Sequence, residues 1–336
     1  MKYVDLENTA RALVPKTKGI LAADESFNST VRRFARYDIP HTEENRRAYR
    51  NLLFTTSGLE EFISGIIMFD ESIRQTAYDG TLFPEYMKAR GIIPGIKIDG
   101  GYQELPGYPG ETFTLGLDGL RERLAKYYEL GARFTKWRAP MSIGDGKPSR
   151  QTYQVNAEGL AISAALSQEA GLVPIVEPDI SLQGAHSIER CAEVTEAILA
   201  HTFFQLSLYK VHLEGILLKV NMVIPGKDCP VQDAPEVVAD YTIRTYKRTV
   251  PVAVPGIVFL SGGQGSQPAI ERLNAVNQRN DFPWEISFSF LRSLADPAFD
   301  VWKGDPDNFD AAQKEFYRQA KMTALARQGK YHPGIA

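Results

Sequence analysis

The stretch Ile216-Leu217-Leu218-Lys219-Val220-Asn221-Met222-Val223-Ile224 is short, almost wholly apolar, and followed by the turn residues Pro225-Gly226. This composition predicts a buried β-strand. A lysine is out of place there, because an unpaired ammonium group is costly to bury and tends to lose its proton. A neutral, desolvated amine is a nucleophile for carbonyl groups. Lys219 therefore indicates a Schiff-base enzyme. The structural alternatives are a lysine that reaches water at the strand end and one paired with a buried carboxylate.

Similar apolar runs recur along the chain, and most are separated by segments with helical spacing. The predicted strands are 18–23, 62–69, 92–98, 132–139, 172–178, 216–223, 256–262 and 285–290. The clearest helical segments are 117–130, 156–170, 187–208 and 235–247, with a closing helix at 310–328. Eight strands that alternate with helices predict an α/β protein of the (β/α)8 TIM-barrel class, and a doubly wound open sheet is the competing layout.

The 336 residues contain no internal repeat, linker or break in composition. A single domain over 1–336 is therefore expected, with a short C-terminal tail over about 329–336. The composition is that of a globular protein, with 43% hydrophobic and 24% charged residues. The net charge of −3 gives no reason to expect nucleic acid or a membrane surface as a partner.

Localisation and metal chemistry are bounded by what the sequence lacks. No apolar run approaches the roughly 20 residues of a membrane helix, and the N-terminus has no signal-peptide pattern. The two cysteines, Cys191 and Cys229, form no CxxC motif, so reduced thiols in a cytoplasmic protein are expected. The five histidines show no ligand spacing, which argues against a metal site. No GxSxG motif supports a serine hydrolase.

Polar residues stand near the C-terminal end of most predicted strands, which is where TIM barrels carry their chemistry. They are Asp24, Glu25, Ser26, Lys97, Asp99, Lys136, Arg138, Glu177, Asp179, Lys219, Asn221, Ser261, Ser287 and Ser289. Any one of them could be a solvated charge or part of a structural ion pair. Together they would converge on one rim of the barrel. There Lys136 beside Lys219 is expected to lower the pKa of one amine, and Glu177 is placed to transfer protons.

Two groups of residues in this pattern suit anions. The turn Gly262-Gly263-Gln264-Gly265-Ser266 follows the seventh strand, and glycines let backbone N–H groups approach a phosphate closely. Arg292, after the eighth strand, adds a charge; a plain tight turn is the alternative interpretation. The second group consists of Ser26, Ser29, Arg32, Arg33, Arg46 and Lys97. Two anion sites on either side of an amine suit a bisphosphorylated substrate.

Nine stretches then point to a known family. They are 19–26, 42–47, 95–99, 116–120, 136–138, 173–178, 213–219, 259–264 and 328–331. With these motifs in order, the chain resembles the class I fructose-bisphosphate aldolases over nearly its full length. The resemblance implies a (β/α)8 barrel, a homotetramer, and no metal or other cofactor. It implies reversible cleavage of fructose 1,6-bisphosphate to dihydroxyacetone phosphate and glyceraldehyde 3-phosphate.

The resemblance also implies roles for the matching residues. Lys219 would form the Schiff base, and Glu177 would transfer protons as the carbinolamine loses water. Lys136 would polarise the intermediate, and Asp24 would take the C4 hydroxyl proton. The implied C1-phosphate cradle is Ser261, Gly262, Gly263 and Arg292. The implied C6-phosphate side is Ser26, Ser29, Arg33, Arg46 and Lys97. Arg138 and Ser289 match further pocket positions.

Four positions that bear on phosphate binding depart from the family pattern. Val220 stands where a proline is usual, Arg32 where a lysine is common, and Leu291 where a glycine is usual beside Arg292, and Gly265 is an insertion in the glycine-rich turn. These changes bear on phosphate affinity more than on the reaction. Two alternatives stay open: a Schiff-base aldolase that acts on a monophosphate or another aldehyde, and a scaffold or binding protein.

Overall fold

The computed structural model describes residues 3–334 and shows eight parallel strands closed into a barrel. Around the barrel the strands run β1 (Gly19–Ala22), β10 (Glu285–Phe290), β9 (Gly256–Phe259), β8 (Leu217–Val220), β7 (Val173–Ile180), β6 (Phe134–Met141), β3 (Ile93–Lys97) and β2 (Ile63–Met68). Closure follows because β1 pairs in parallel with both β10 and β2. The predicted (β/α)8 barrel is confirmed, and an open doubly wound sheet is excluded.

Helices connect the strands and form the outer layer. They are α1 (Val4–Leu13), α2 (Phe27–Phe34), α3 (Glu43–Phe54), α4 (Phe83–Ala89), α5 (Leu120–Glu129), α6 (Arg150–Glu169), α7 (Ile188–Leu208), α8 (Pro235–Thr249), α9 (Ser266–Arg279), α10 (Arg292–Trp302) and α11 (Phe309–Arg327). Short 3-10 segments lie at Ala35–Tyr37, Leu59–Glu61, Ser72–Arg74, Leu213–Gly215 and Pro306–Asn308.

Several helices begin at residues whose side chains cap them. The Thr42, Ser149 and Ser187 hydroxyls accept the backbone N–H three residues on, as N-caps do. Because Ser149 is a cap, α6 begins six residues earlier than the predicted segment 156–170. In contrast, α5 begins only at Leu120, since Gly119 takes up a left-handed conformation with φ of 62°.

A hairpin that the sequence did not predict follows β3. Its strands, β4 (Tyr102–Glu104) and β5 (Thr112–Thr114), are antiparallel and only three residues long. The hairpin lies on β6, because the Thr114 hydroxyl donates to the Arg138 carbonyl over 2.9 Å. Such short strands, none of whose residues is fully buried, carry too little apolar patterning to be recognised from sequence.

The alternation of side chains along each strand divides the core into two parts. Ile20, Ile67, Phe134, Ile175, Leu217 and Val258 fill the inside of the barrel. Leu6, Ala10 and Leu13 of α1 join this cluster, so α1 packs on the barrel beside these interior residues. A larger cluster lies mainly between the strands and the surrounding helices. The polar side chains of the interior therefore lie at the C-terminal ends of the strands, away from α1.

The C-terminal tail is partly docked. Of the predicted tail 329–336, residues 335 and 336 lie outside the described residues. The backbone N–H of Tyr331 donates to Asn274 Oδ1 over 2.9 Å, and its hydroxyl is bonded to Gln267, both on α9. Among the described residues, no helix has the length and apolar character needed to span a bilayer.

Candidate active site

Four charged side chains meet at the C-terminal mouth of the barrel. Lys136 Nζ lies 2.6 Å from Asp24 Oδ2 and 3.4 Å from Glu177 Oε2. The other oxygen of that carboxylate, Glu177 Oε1, lies 3.2 Å from Lys219 Nζ. Glu177 therefore bridges the two amines. All four predicted catalytic residues are brought together, although they come from three strands and the segment after β1.

Strand alternation explains why the two lysines and Glu177 share the inner face of the barrel. Leu217 points into the barrel, so Lys219 two residues later points the same way, and Glu177 follows Ile175 in the same manner. The register places Lys136 opposite Ile175 on the neighbouring strand. The carboxylates and amines thus form the uppermost layer of the barrel interior. The apolar layer beneath excludes water from one side of them.

Opposite charges decide the protonation of two of these groups. Burial alone would raise the pKa of Asp24, but the charges of Lys136 and Lys219 outweigh it and lower this pKa from 3.8 to about 2. Burial alone would lower the pKa of Lys136, but the charges of Asp24, Glu177 and Asp99 raise it instead. Asp24 is therefore a carboxylate and Lys136 an ammonium at neutral pH.

The expectation that crowding of the two amines lowers one amine's pKa is wrong for Lys136. Sequence spacing did not show that three carboxylates would surround it. At Lys219 the geometry is that of the structural alternative, a buried lysine paired with a carboxylate. That pairing does not compete with chemistry, because the carboxylate is also the nearest proton acceptor for the amine.

Asp99 is a site residue that the sequence analysis noted but gave no role. Its carboxylate lies 2.5 Å from Lys97 Nζ and 3.9 Å from Lys136 Nζ, and its side chain is 5% exposed. It also accepts the backbone N–H of Arg138 over 3.3 Å. Asp99 thus joins β3 to β6 and holds two of the three lysines. In the sequence, the feature that points to this role is the position of Asp99 two residues after Lys97, the last residue of β3.

Arg138 faces a cleft beside this charge cluster. Its Nε lies 2.5 Å from Asp179 Oδ2 on the next strand, and the charge of Asp179, against the effect of burial, raises the pKa of Arg138. Both line a cavity of about 280 Å³ together with Tyr102 of the hairpin, Gly262 and Arg292. Arg138 therefore reaches the same cleft as the glycine-rich turn.

The glycine-rich turn and Arg292 come together as predicted. Gly262 and Gly263 have φ of 58° and 84°, a region that side chains other than glycine rarely adopt. A Cβ atom on Gly263 would lie 2.8 Å from Arg292 Nη1, so the guanidinium rests against the bare backbone. Arg292 is the first residue of α10, and Ser261 is buried at the end of β9. Backbone N–H groups, a helix N-terminus and a guanidinium together favour an anion.

Ser289, on the neighbouring strand β10, is almost fully buried at 1% exposure. Its hydroxyl has no hydrogen-bond partner among residues 3–334. Because a buried hydroxyl normally has a partner, this oxygen is left available for a ligand.

The second predicted group of anion-binding residues, which includes Ser26, Ser29 and Arg46, is only partly available to a ligand. The Ser26 and Ser29 hydroxyls lie 3.2 Å apart at the start of α2. Arg46, however, makes a two-point ion pair with Glu71 at distances of 2.5 and 2.8 Å. Because Lys97 is likewise paired with a carboxylate, that of Asp99 at 2.5 Å, neither cation is held free for an anion.

Arg33 differs most from its predicted role. Its side chain is 5% exposed, bonded to Glu25 at 3.0 Å and to Asp296. The guanidinium carbon lies 5.5 Å from the ring centre of Tyr49 and 5.4 Å from that of Phe299. Its donors are directed to protein partners, which a sequence motif cannot reveal.

The described residues contain no group of three or more His, Cys, Asp or Glu side chains placed to hold a metal ion.

Comparison with known proteins finds relatives over nearly the whole chain. A model of the family described as fructose-bisphosphate aldolase class-I matches residues 5–336. The probable fructose-bisphosphate aldolase class 1 of Xanthomonas axonopodis pv. citri is 51% identical over 332 residues, which is 98% of this chain and 99% of that one. The cytosolic fructose-bisphosphate aldolase 4 of Arabidopsis thaliana is 51% identical over 94% of this chain and 80% of its own.

A solved structure is similar over the whole fold. It is the fructose-bisphosphate aldolase from Plasmodium falciparum in complex with TRAP and a small-molecule inhibitor. The two chains are 43% identical and superpose with a TM-score of 0.97, which covers 99% of this chain and 96% of the other.

Proposed function

We propose, from the premise that the chain belongs to the class-I fructose-bisphosphate aldolase family, that Lys219 forms the Schiff base through which it cleaves fructose 1,6-bisphosphate. The products are dihydroxyacetone phosphate and glyceraldehyde 3-phosphate, and the reaction is reversible and needs no metal ion. One observation carries the assignment of roles: Glu177 lies between Lys219 at 3.2 Å and Lys136 at 3.4 Å, and all three side chains are buried at the barrel mouth.

Schiff-base formation uses the Lys219–Glu177 pair. Glu177 takes a proton from the Lys219 ammonium, and the neutral amine attacks the C2 carbonyl to give a carbinolamine. The same carboxyl group then protonates the C2 hydroxyl, which leaves as water, and an iminium ion remains. A carboxylate that contacts the amine directly can perform both transfers without moving far.

Cleavage of the C3–C4 bond uses Asp24 and Lys136. The Asp24 carboxylate takes the C4 hydroxyl proton, the C3–C4 electron pair moves to the iminium, and an enamine forms on Lys219. The lowered pKa of Asp24 keeps it ionised before this step. The Lys136 ammonium, 2.6 Å away, stabilises the negative charges around it.

The phosphate groups bind on either side of the lysine. We assign Ser261, Gly262, Gly263, Ser289 and Arg292 to the C1-phosphate. We assign Ser26, Ser29 and Lys97 to the C6-phosphate, with Arg46 and Arg138 at the edges of the cleft. Arg33 is not assigned to a phosphate. It lies near the C-terminal end of α2 and anchors this helix, because its donors are bonded to Glu25 and Asp296. Binding energy at both phosphates positions the reacting atoms.

Borohydride trapping tests the proposal. The protein is treated with dihydroxyacetone phosphate and borohydride in EDTA, and its peptides are mapped by mass spectrometry. An adduct on Lys219 is expected, and none in Lys219→Met, which keeps the length of the side chain and lacks the amine. Folded wild-type protein without an adduct on any peptide would overturn the proposal and favour the scaffold alternative.

The ion pairs of Arg33 and Arg46 favour fructose 1-phosphate as a second substrate. Because these arginines are bonded to carboxylates, the C6 side binds less strongly than the C1 side. We expect kcat/KM for the monophosphate to lie within about a hundredfold of that for the bisphosphate, a difference of about 3 kcal/mol. A much larger ratio would mean that the arginines exchange their partners for the phosphate.

We further propose that the enzyme is a cytoplasmic homotetramer. Phe204 and Leu208 lie one turn apart on α7 and are 62% and 59% exposed, a pattern that favours burial by another copy of the chain. Free thiols at Cys191 and Cys229 suit a reducing compartment.

A further inference from the structure

Asn221 is a buried polar residue for which the reaction has no evident use. It lies two residues after Lys219, just beyond the end of β8, and is 1% exposed. Its Oδ1 accepts the backbone N–H of Ile180 over 3.4 Å, and its Nδ2 donates to the Met222 carbonyl over 3.0 Å. A buried amide costs free energy unless it is bonded in this way, so its contacts indicate what it does.

The Asn221 contact lies where β7 and β8 lose their backbone pairing. Their register ends at the pair Val176–Leu218, one residue before Glu177 and Lys219. Beyond this point the Asn221 side chain contacts Ile180 at the end of β7. The Glu177–Lys219 contact is therefore held between a backbone ladder on one side and an amide on the other.

The opposite edge of β8, which pairs with β9, does not depend on the Asn221 contact. There the pairing with β9 continues through Lys219–Val258 and Val220–Phe259, and Leu260 N–H donates to the Val220 carbonyl over 2.9 Å. Loss of the Asn221 contact would leave β8 attached to β9 and free to separate from β7. Separation at that edge changes one distance first, that from Lys219 Nζ to the Glu177 carboxylate.

Helices α7 and α8 hold Asn221 from outside the barrel. Tyr246 on α8 donates its hydroxyl proton to the Asn221 carbonyl. The Nδ2 group also lies 3.8 Å from the Cys191 sulfur on α7. Burial raises the pKa of Cys191 to about 11, so the sulfur is a neutral thiol. Asn221 is thus fixed by two strands and two helices, a rigid support for a site residue nearby.

We propose that Asn221 is a positioning residue that sets the distance between the Lys219 amine and the Glu177 carboxylate. It touches neither substrate nor reacting atoms and acts through the spacing of β7 and β8. The inference rests on the proposed function, since it gives Glu177 the proton transfers of Schiff-base formation. Displacement of a reacting group by about 1 Å can cost about a hundredfold in rate.

The test compares Asn221→Ala with Asn51→Ala. Asn51 is a matched control, because it is 0% exposed, its Oδ1 accepts the Tyr78 N–H over 3.0 Å, and its Nδ2 donates to the Arg47 carbonyl over 3.0 Å. Both variants remove a buried amide that accepts a backbone N–H, and similar losses of stability are expected. Only Asn221→Ala is expected to lower kcat, by about 10- to 100-fold, with KM nearly unchanged.

Single-turnover borohydride trapping identifies the slowed step. In Asn221→Ala the rate of adduct formation on Lys219 should fall in parallel with kcat, while Asn51→Ala traps at the wild-type rate. Equal trapping rates in the two variants would overturn the inference. Absence of trapping in the wild type would instead overturn the proposed function, so the two failures are distinct.

Two milder variants cover the case in which Asn221→Ala does not fold. Tyr246→Phe removes the hydroxyl that holds the Asn221 carbonyl and should slow trapping by a smaller factor. In Asn221→Asp a protonated carboxyl group can replace both amide contacts, so its trapping rate relative to wild type should rise as pH falls. A wild-type trapping rate in both variants at every pH would equally overturn the inference.

Discussion

At the residue scale, the site depends on which carboxylate faces which cation. Lys136 is surrounded by Asp24, Asp99 and Glu177, so its positive charge is retained although it is buried. Asp24 is in turn kept ionised by the lysines. The adjacent arginines 32 and 33 show the same dependence on surroundings: Arg32 is exposed, and Arg33 is buried between two carboxylates and two aromatic rings.

The lowered pKa of Asp24 predicts a contribution to stability that depends on pH. Its folded-state pKa of about 2 lies below the ordinary 3.8, so the contribution is present above about pH 4 and is lost as pH falls through about 2. The shift corresponds to about 2 kcal/mol. Between pH 5 and pH 2, the free energy of unfolding of wild type should fall by about 2 kcal/mol more than that of Asp24→Asn. Urea denaturation at each pH measures both proteins, and an equal fall in the free energy of unfolding for wild type and Asp24→Asn would contradict this prediction.

Replacement of Arg33 should affect stability before substrate affinity. Arg33→Met removes the closest partner of Glu25 and Asp296, which keep only the longer contacts to Arg50 at 3.8 Å and Arg36 at 3.9 Å. Loss of one member of a buried ion pair typically costs about 3–5 kcal/mol. The control is Arg32→Met, an exposed neighbour whose replacement should stay within about 0.5 kcal/mol. Thermal and denaturant unfolding measure both variants. A stable Arg33→Met enzyme with a raised KM would restore Arg33 to the phosphate site.

At the element scale, strand ends and helix starts build the cleft. The β9–α9 turn presents bare backbone to Arg292, which begins α10, while the β4–β5 hairpin adds Tyr102 to the opposite wall. The strands themselves place Lys136, Glu177 and Lys219 in one layer by alternation. Each element supplies one or two groups, and the chemistry arises only where the elements meet.

Gly263→Ala tests the turn. The new methyl group would strain a residue with φ of 84° and displace the Arg292 guanidinium. We expect KM for phosphorylated substrates to rise at least about tenfold, with kcat much less affected. Gly80→Ala is the matched control, because Gly80 has φ of 86° and a Cβ there would meet nothing within 4 Å. It should lose similar stability and keep the wild-type KM. Equal KM values in both variants would count against the cradle.

At the scale of the whole molecule, the barrel separates stability from function. Apolar side chains fill the barrel beneath the site, and α1 packs against them. The charged layer is confined to the opposite mouth of the barrel. The tail as far as Tyr331 is bonded to α9, which follows the glycine-rich turn. That one domain spans the chain stays a prediction. The exposed apolar residues on α7 are the feature of this surface that favours association with another copy of the chain.

The proposed tetramer predicts a particle of four 37.5 kDa chains in sedimentation equilibrium. Phe204→Ser with Leu208→Ser should lower that mass, because the two apolar side chains would be buried between copies. Val252→Ser is the control, since Val252 is 76% exposed but lies in the loop before β9. A wild-type monomer, or an unchanged mass in the double variant, would refute this interface.

The sequence by itself predicted the barrel and the charged residues that meet at its mouth. Apolar runs alternating with helical segments are local patterns, and strand alternation then places residues such as Lys219 and Glu177 on the inner face. Strand limits were less certain: 216–223 was predicted, but β8 ends at Val220, and Asn221 lies outside it. The strand ends there because its pairing with β9 stops at Val220–Phe259, two residues after its pairing with β7 stops, and pairing is a property of two strands and not of one.

Only the tertiary structure decided how the charges are paired. Arg33 and Asp296 are far apart in sequence, and nothing local to either residue shows that they meet. Of the three carboxylates around Lys136, Glu177 lies in β7, and Asp24 and Asp99 follow the ends of β1 and β3, so the direction of its pKa shift depends on their convergence. Distances of a few ångströms between such residues control electrostatic energies, and they arise only when the barrel closes.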